Sequence, residues 1–352
     1  MPPVAHSGGS RCHIGMRPPL RRQNRVEAVD SCRIARCFVA RRCSKTSMAV
    51  IGPGLTTANF ITSSLRSSLS EMLPPETQLE VRSHLPRART DKPPLLFVHG
   101  GYCDAWCWEP FFLPWFAAQG FPSHALSLRG HGASGGQESL FVAGLDDYVA
   151  DVEHVAAALP SPPVLIGHSL GAAVVERILT TRPVRAAALL APVPPGGLGP
   201  VASRLMAWQP EYLVNMHRLD APHLSGDVLA ALRPMYFSET IDPKILAEAF
   251  THLSVESPRA LLDLMLRLHG GKPVAAARLF VLGSHDDRIS APADVNATAS
   301  LYGIAPIIVR GLAHMMMLER EWETAARPLL DWLEREVVSP AATASARRAS
   351  RS

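Results

Sequence analysis

Residues 164–173 read Val164-Leu165-Ile166-Gly167-His168-Ser169-Leu170-Gly171-Ala172-Ala173. An apolar, strand-like run ends here in the pattern G-x-S-x-G, and a helix-like segment follows it. A serine at such a junction stands on a tight, strained turn that exposes its hydroxyl, and the flanking glycines let the neighbouring chain pass closely. The pattern therefore predicts that Ser169 is a nucleophile. A buried strand that ends in a glycine turn is the alternative, so the surrounding sequence has to decide.

Strand-like and helix-like segments alternate around this motif, which predicts an α/β fold with a mostly parallel central sheet and helices on both faces. Short continuous apolar runs, such as Leu95-Leu96-Phe97-Val98, are typical of strands buried on both sides. Besides the run before Ser169, we predict strands at 79–83, 95–98, 123–128, 184–190, 278–283 and 305–309, and helices at 102–119, 145–159, 171–180 and 319–337. Between 191 and 278 the alternation stops, and helical patterns occur at 224–232, 244–253 and 257–268.

The chain of 352 residues therefore divides into an α/β core and an insertion. We assign the core to residues 76–191 and 273–338, and a helical cap to residues 192–272. Residues 1–75 are rich in Arg, Ser, Pro and Gly and lack a hydrophobic period, so we expect a disordered leader; a transit peptide and a mistaken start codon are the alternatives. The Ala/Ser/Arg tail at 339–352 is also expected to be disordered.

The distribution of charge limits the possible partners. Residues 1–70 contain 11 Lys and Arg but only two acids, so the remainder, with 24 basic and 29 acidic residues, is mildly acidic despite the formal net charge of +4. This balance disfavours nucleic acid. No apolar run reaches the roughly 18 residues of a membrane span, so we expect no stable membrane insertion and a cytoplasmic location, or an organelle if the leader is a transit peptide. Because no H-E-x-x-H or similar ligand spacing is present, we expect no metal. We also expect no other cofactor.

A serine hydroxyl needs a neighbouring base, and the sequence downstream of Ser169 offers one. His314 lies in a loop after the last apolar strand, within Gly311-Leu312-Ala313-His314. Two consecutive acids, Asp286 and Asp287, follow the preceding strand. These candidates all come after the carboxyl ends of strands, where open α/β sheets bind ligands, and they occur in the order Ser, Asp, His. We therefore predict a triad in which either aspartate could orient His314.

An oxyanion produced by attack of Ser169 would need backbone N–H donors. The expected donors are the residue after the nucleophile, Leu170, and a residue of the first strand-to-helix loop, Gly101. Glycine at 100 and 101 would allow that loop to approach a substrate closely.

With these motifs the chain resembles the α/β-hydrolase superfamily, and within it the capped esterase, lysophospholipase and haloperoxidase-like branch. The resemblance implies a Ser-Asp-His triad and favours Asp286 over Asp287 as its acid. It covers residues 95–335, and it does not define the substrate. The motifs that carry it are Phe97-Val98-His99-Gly100-Gly101, Leu128-Arg129-Gly130-His131-Gly132-Ala133-Ser134, Gly167-His168-Ser169-Leu170-Gly171, Gly283-Ser284-His285-Asp286-Asp287 and Gly311-Leu312-Ala313-His314-Met315-Met316-Met317-Leu318.

The resulting expectation is a cofactor-independent serine hydrolase that cleaves a small-molecule acyl ester through an acyl-enzyme, with a thioester or an amide as further substrate classes. The cap would select the substrate. Two alternatives stay open: a lyase or perhydrolase that uses the same triad, and a ligand receptor that has kept the triad without turnover.

Overall fold

A computed structural model describes residues 78–216, 226–266 and 270–339. The predicted leader and nearly all of the predicted tail lie outside these residues. Within these residues, seven strands form one sheet in the spatial order β1-β3-β2-β4-β5-β6-β7. Only β1 is antiparallel to its neighbour, and the other strands pair in parallel. The strands are β1 (Val81–His84), β2 (Leu95–Val98), β3 (Ser123–Leu126), β4 (Val164–His168), β5 (Ala186–Leu190), β6 (Arg278–Ser284) and β7 (Ile307–Val309).

Helices cover both faces of this sheet because the strands are apolar on both sides. In β2, Leu95 and Phe97 belong to one buried cluster, and the alternating Leu96 and Val98 belong to the other. Helices α1 and α10 pack on the first cluster, and α2, α3 and α9 pack on the second. These helices are α1 (Phe112–Ala118), α2 (Leu145–Ala158), α3 (Leu170–Thr181), α9 (Pro292–Leu301) and α10 (Glu323–Trp332). The architecture is the α/β-hydrolase fold, as predicted.

The described part of the segment between β5 and β6 is helical. Its helices are α4 (Leu198–Trp208), α5 (Pro210–Met216), α6 (Gly226–Tyr236), α7 (Pro243–Thr251) and α8 (Pro258–Met265). Proline at or near the start of α5, α7 and α8 suits these helices, because the first-turn N–H groups lack intrahelical partners in any case. Val201, Leu205, Val228 and Leu232 form a small apolar core of their own.

Some predicted elements differ from the observed ones. The helix expected at 102–119 is divided into a 3₁₀ turn, Ala105–Trp108, and α1. Pro110 lies between them, and its missing N–H prevents the helical ladder from continuing. The final helix is π-helical over its last turn, Leu333–Val338. Within the described ranges, no helix has the length and apolarity needed to cross a membrane.

Candidate active site

Ser169 lies at the junction of β4 and α3, in a backbone conformation that L-residues rarely adopt. Its φ is 53° and its ψ is −116°. The sheet and the helix meet so closely here that a Cβ on Gly171 would overlap the backbone carbonyls of Val98 and His99. A Cβ on Gly167 would likewise overlap the backbone of α3. Glycine at both positions therefore permits the strained turn, and strain of this kind is common at functional sites.

The structure brings His314 to Ser169. The Nε2 atom of His314 lies 3.0 Å from the Ser169 hydroxyl oxygen, and the histidine is buried in the loop after β7. His168 supports this position because its Nε2–H donates to the His314 carbonyl at 2.9 Å. Burial lowers the pKa of His168 well below its ordinary value, and the adjacent His314 lowers it further. His168 is therefore neutral at neutral pH, with its proton on Nε2.

The acid that contacts His314 is Asp287. Its Oδ2 accepts from Nδ1–H of His314 at 2.8 Å, while Oδ1 accepts from the backbone N–H groups of Ile289 and Ser290 at 2.8 and 2.9 Å. The Asp287 side chain is fully buried. These bonds fix the carboxylate and direct it at the imidazole.

The choice of Asp286 as the partner of His314 was wrong. Strand β6 continues through Ser284, one residue further than predicted, and the next two residues form an exposed turn. Asp286 is therefore half-exposed, and its carboxylate accepts from the Gly311 N–H at 2.6 Å instead. Asp287 is the first acid after the strand whose side chain is directed inward.

The predicted oxyanion donors, Gly101 and Leu170, belong to two segments that lie next to Ser169. Leu170 is the first residue of α3, and an N–H in the first turn of a helix has no partner within that helix. The loop after β2 passes so close that a Cβ on Gly100 would lie 3.1 Å from the Ser169 Cβ. Gly101 and Leu170 line the same cavity as Ser169 and His314. The space beside the serine hydroxyl is thus bordered by both segments.

This cavity lies between the sheet and the helical insertion. It holds about 540 Å³, its open mouth included, and residues of the insertion such as Tyr212, Tyr236 and Leu264 line it. A second cavity of about 560 Å³, its opening to solvent included, lies behind the loop after β2. We call them the outer and inner cavities. Gly101, Tyr102, Tyr236 and Met315 line both, so the inner cavity adjoins the outer one.

The inner cavity is almost entirely apolar. Its walls come from the insertion on one side, with Leu232, Phe237 and Ala249, and from the core on the other, with Trp106 and Leu318. Trp106 stacks on His252 of the insertion with ring centroids 4.5 Å apart and an interplanar angle of 3°. The indole N–H also donates to Glu248 at 3.1 Å. These contacts fix one wall of the cavity relative to the other.

Several residues at the site were not singled out by sequence analysis. The hydroxyl groups of Tyr212 and Tyr236 form a hydrogen bond of 2.8 Å. The ring centroid of Tyr236 lies 6.0 Å from that of His314. Burial raises the pKa of Tyr236, so the phenol is protonated at neutral pH. No sequence spacing relates these helices of the insertion to His314. The only available signal is that the insertion has to bury its apolar faces against the core.

The described residues contain no group of three or more His, Cys, Asp and Glu side chains arranged to hold a metal ion. Cys103 and Cys107 are free, buried thiols beside the inner cavity. The candidate site therefore consists of a hydrogen-bonded chain from Asp287 through His314 to Ser169, next to the outer and inner cavities.

Comparison with known proteins agrees with this fold. The sequence model described as "Alpha/beta hydrolase family" matches residues 95–327. A putative non-heme bromoperoxidase from Mycobacterium tuberculosis H37Rv is 20% identical, with a TM-score of 0.57 over 74% of this chain and 97% of that chain. A thermophilic esterase from Thermogutta terrifontis is 18% identical, with a TM-score of 0.55 over 74% and 94%. An enol-lactonase from Burkholderia xenovorans LB400 is 17% identical, with a TM-score of 0.54 over 74% and 97%. No curated protein sequence matches significantly.

Proposed function

This chain belongs to the alpha/beta hydrolase family, and we propose that it is a serine hydrolase that cleaves carboxylic esters through an acyl-enzyme. The observation that carries the proposal is the chain of contacts from Asp287 to His314 at 2.8 Å and from His314 to Ser169 at 3.0 Å. A carboxylate can only accept a hydrogen bond, so it places the His314 proton on Nδ1 and leaves Nε2 free to accept the serine proton.

In the proposed reaction His314 acts first as a base and then as an acid. As the Ser169 oxygen attacks the ester carbonyl, its proton moves to Nε2 of His314, and Asp287 stabilises the resulting imidazolium. Collapse of the tetrahedral intermediate breaks the bond to the alcohol, which takes the proton from Nε2. A water molecule then gives a proton to His314 and attacks the acyl carbonyl. When this second tetrahedral intermediate collapses, His314 returns the proton to the Ser169 oxygen and the acid is released.

We further propose that Gly101 and Leu170 bind the oxyanion through their backbone N–H groups. The helix that begins at Leu170 directs the positive end of its dipole at the same place, which favours negative charge there. The loss of one such donor commonly lowers kcat by roughly 10²–10³-fold, so the contribution is substantial.

The apolar lining of the inner cavity supports the proposal that the substrates are esters with a hydrocarbon part. Burial of a methylene group contributes about 0.8 kcal/mol, so a chain that reaches the inner cavity from Ser169 would gain affinity with each added carbon. Thioesters and amides of the same shape use the same chemistry and fit the same proposal.

Turnover of p-nitrophenyl esters tests the proposed function. We expect the full-length protein to release p-nitrophenol from the acetate, butyrate and octanoate esters. Ser169→Ala should lower kcat by roughly 10⁴-fold or more, because the nucleophile is lost while the binding cavities are unchanged. Unchanged turnover in Ser169→Ala would show that hydrolysis does not use this serine, and an inactive wild-type protein would leave a receptor as the better description.

A further inference from the structure

A buried polar cluster lies behind the loop that contains Gly101. It consists of His131 from the loop after β3, Tyr148 from α2, and Glu256 from the segment between α7 and α8. The side chains of His131 and Glu256 are both fully buried. Charged groups in such a place are expensive unless they are paired, so their protonation states can be worked out from their partners.

The groups that face His131 favour a proton on each ring nitrogen. Its Nδ1 lies 2.9 Å from the Arg129 carbonyl, which can only accept. Its Nε2 lies 3.4 Å from Oε2 of Glu256. This is an ion-pair contact, because neither of these two atoms has a hydrogen-bonding partner within the described part of the chain. An unprotonated Nε2 would direct its lone pair at the carboxylate, whereas a protonated Nε2 makes an ion pair with it.

Hydrogen bonds to the other oxygen of Glu256 favour its carboxylate form. Oε1 accepts from the Tyr148 hydroxyl and from the Ser257 N–H, both at 2.7 Å. Burial would raise the pKa of Glu256, but the His131 charge and these donors outweigh burial and lower it. Burial likewise opposes the charge on His131, and the Glu256 carboxylate outweighs it and raises the pKa of His131.

The other titratable groups that face the cluster do not replace this pairing. The ring of His99 packs against His131 with centroids 5.1 Å apart. His99 accepts from the Leu128 N–H through Nε2 and donates to the Gly100 carbonyl through Nδ1, so it is neutral. Burial raises the pKa of Tyr148, which therefore keeps its proton. Cys103, the remaining neighbour, also raises the pKa of His131, although less than Glu256 does.

The cluster joins the insertion to the loop that carries the proposed oxyanion donor. A Cβ built on Gly101 would lie 3.2 Å from Oε2 of Glu256, so the carboxylate packs directly on this glycine. Two residues earlier in the insertion, the Ser254 N–H donates to the Tyr102 carbonyl at 3.0 Å. Both contacts fix the course of the Gly101 loop. An unpaired negative charge at this point would oppose the charge that develops at the Gly101 N–H.

We infer that Glu256 and His131 form a buried ion pair that positions the Gly101 loop for oxyanion binding while keeping the charge behind it neutral. The inference rests on the proposed function, because positioning of a donor matters only if an oxyanion forms. Both residues act through Gly101 and are positioning residues. The insertion thereby contributes to the reaction itself as well as to the walls of the cavities.

The first test does not depend on activity. In full-length protein labelled with ¹⁵N-histidine, NMR at neutral pH should show His131 with a proton on both ring nitrogens, its signals being identified by their absence in His131→Gln. A neutral His131 with one unprotonated nitrogen would overturn the ion pair whether or not the protein is an esterase.

The second test is kinetic and uses a neutral replacement of the pair. His131→Gln leaves Glu256 unpaired, and we expect kcat for p-nitrophenyl butyrate to fall at least about tenfold with little change in KM. The double variant His131→Gln/Glu256→Gln removes both charges and should recover most of the lost kcat. Wild-type kcat should fall as the pH rises through the pKa of His131, and the double variant should lack this fall.

A double variant no faster than His131→Gln, or an alkaline fall that persists in it, would contradict the positioning role. The proposed function fails in a different way. If the wild-type protein neither hydrolyses esters nor acylates Ser169, then that function is wrong, while the NMR result still decides the protonation of His131.

Discussion

Asp286 and Asp287 are neighbours in the sequence, but their carboxylates have different surroundings. Asp287 is buried against His314, whereas Asp286 is half-exposed and caps the Gly311 N–H. Replacement of each by asparagine gives a matched pair of variants. Asp287→Asn should lower kcat by roughly 10³–10⁴-fold, because an amide no longer fixes the imidazole tautomer or stabilises its charge.

Asp286→Asn is the control, and its kcat should stay within about threefold of the wild-type value because the exposed amide does not contact His314 and its oxygen can still accept from the Gly311 N–H. Steady-state kinetics with p-nitrophenyl butyrate measures both. A larger loss in Asp286→Asn than in Asp287→Asn would contradict the hydrogen-bonded arrangement at His314.

Sequence patterns could predict the positions of Ser169 and His314 but not which aspartate accompanies them. Gly167 and Gly171 mark the turn at Ser169 because no other residue fits between strand and helix. Adjacent acids after a strand face different directions, and the direction of each depends on the residue at which β6 ends. Strand ends are set by tertiary packing, so the sequence alone does not determine which of the two carboxylates reaches His314.

At the scale of elements, the core was more predictable than the insertion. The buried strands and α2 and α3 follow their periodic patterns closely, because each packs on one continuous sheet. Helices α4 and α5 were not predicted from the sequence. Pro200 is compatible with α4 because proline is tolerated within the first turn of a helix. The contribution of Tyr236 and Glu256 to the site depends on how the insertion folds back, which local patterns do not encode.

The helix α7 offers a test of the inner cavity. Ala249 lines this cavity, whereas Ala247 is exposed on the same helix. Ala249→Leu adds three carbons to the cavity wall, so we expect kcat/KM for p-nitrophenyl octanoate to fall at least about tenfold while the value for the acetate changes little. Ala247→Leu is the matched control and should change neither. An equal loss for acetate and octanoate in Ala249→Leu would indicate that the substrate chain does not enter this cavity.

At the scale of the whole molecule, one buried carboxyl group links stability to pH. Glu176 of α3 is fully buried, and its Oε1 accepts from the Tyr302 hydroxyl at 2.8 Å. Burial raises its pKa from 4.5 to about 8, although the Tyr302 hydrogen bond acts in the opposite direction. The folded protein therefore keeps a proton that the unfolded chain loses between these pH values, and folding becomes less favourable as the pH rises through this range.

Glu176→Gln removes this titration. In the wild type, the stabilisation that comes from the raised pKa of Glu176 is fully present below the ordinary glutamate pKa. As the pH rises toward 8, this part of the free energy of unfolding should be lost at up to about 1.4 kcal/mol per pH unit. The free energy of unfolding of the wild type should therefore fall relative to that of Glu176→Gln between about pH 5 and pH 8. Urea denaturation at several pH values measures this difference. Parallel pH profiles for the two proteins would contradict a raised pKa at Glu176.

The order of the motifs along the chain, together with the alternation of strands and helices, was sufficient to predict the α/β-hydrolase fold. Because β4, β6 and β7 run in the same direction, their carboxyl ends lie at one edge of the sheet. Ser169, Asp287 and His314 follow these ends. The substrate could not be predicted in the same way, because the cavities lie between the core and the insertion and depend on the packing of both.

The most direct test of the central claim is the reaction of the full-length protein with a fluorophosphonate probe, followed by peptide mass spectrometry. Attack on phosphorus by an activated serine should give one covalent adduct on the peptide that contains Ser169. The adduct should be absent in Ser169→Ala and form much more slowly in Asp287→Asn. Labelling that persists in Ser169→Ala, or that occurs on another residue of the wild type, would contradict the claim that Ser169 is the nucleophile.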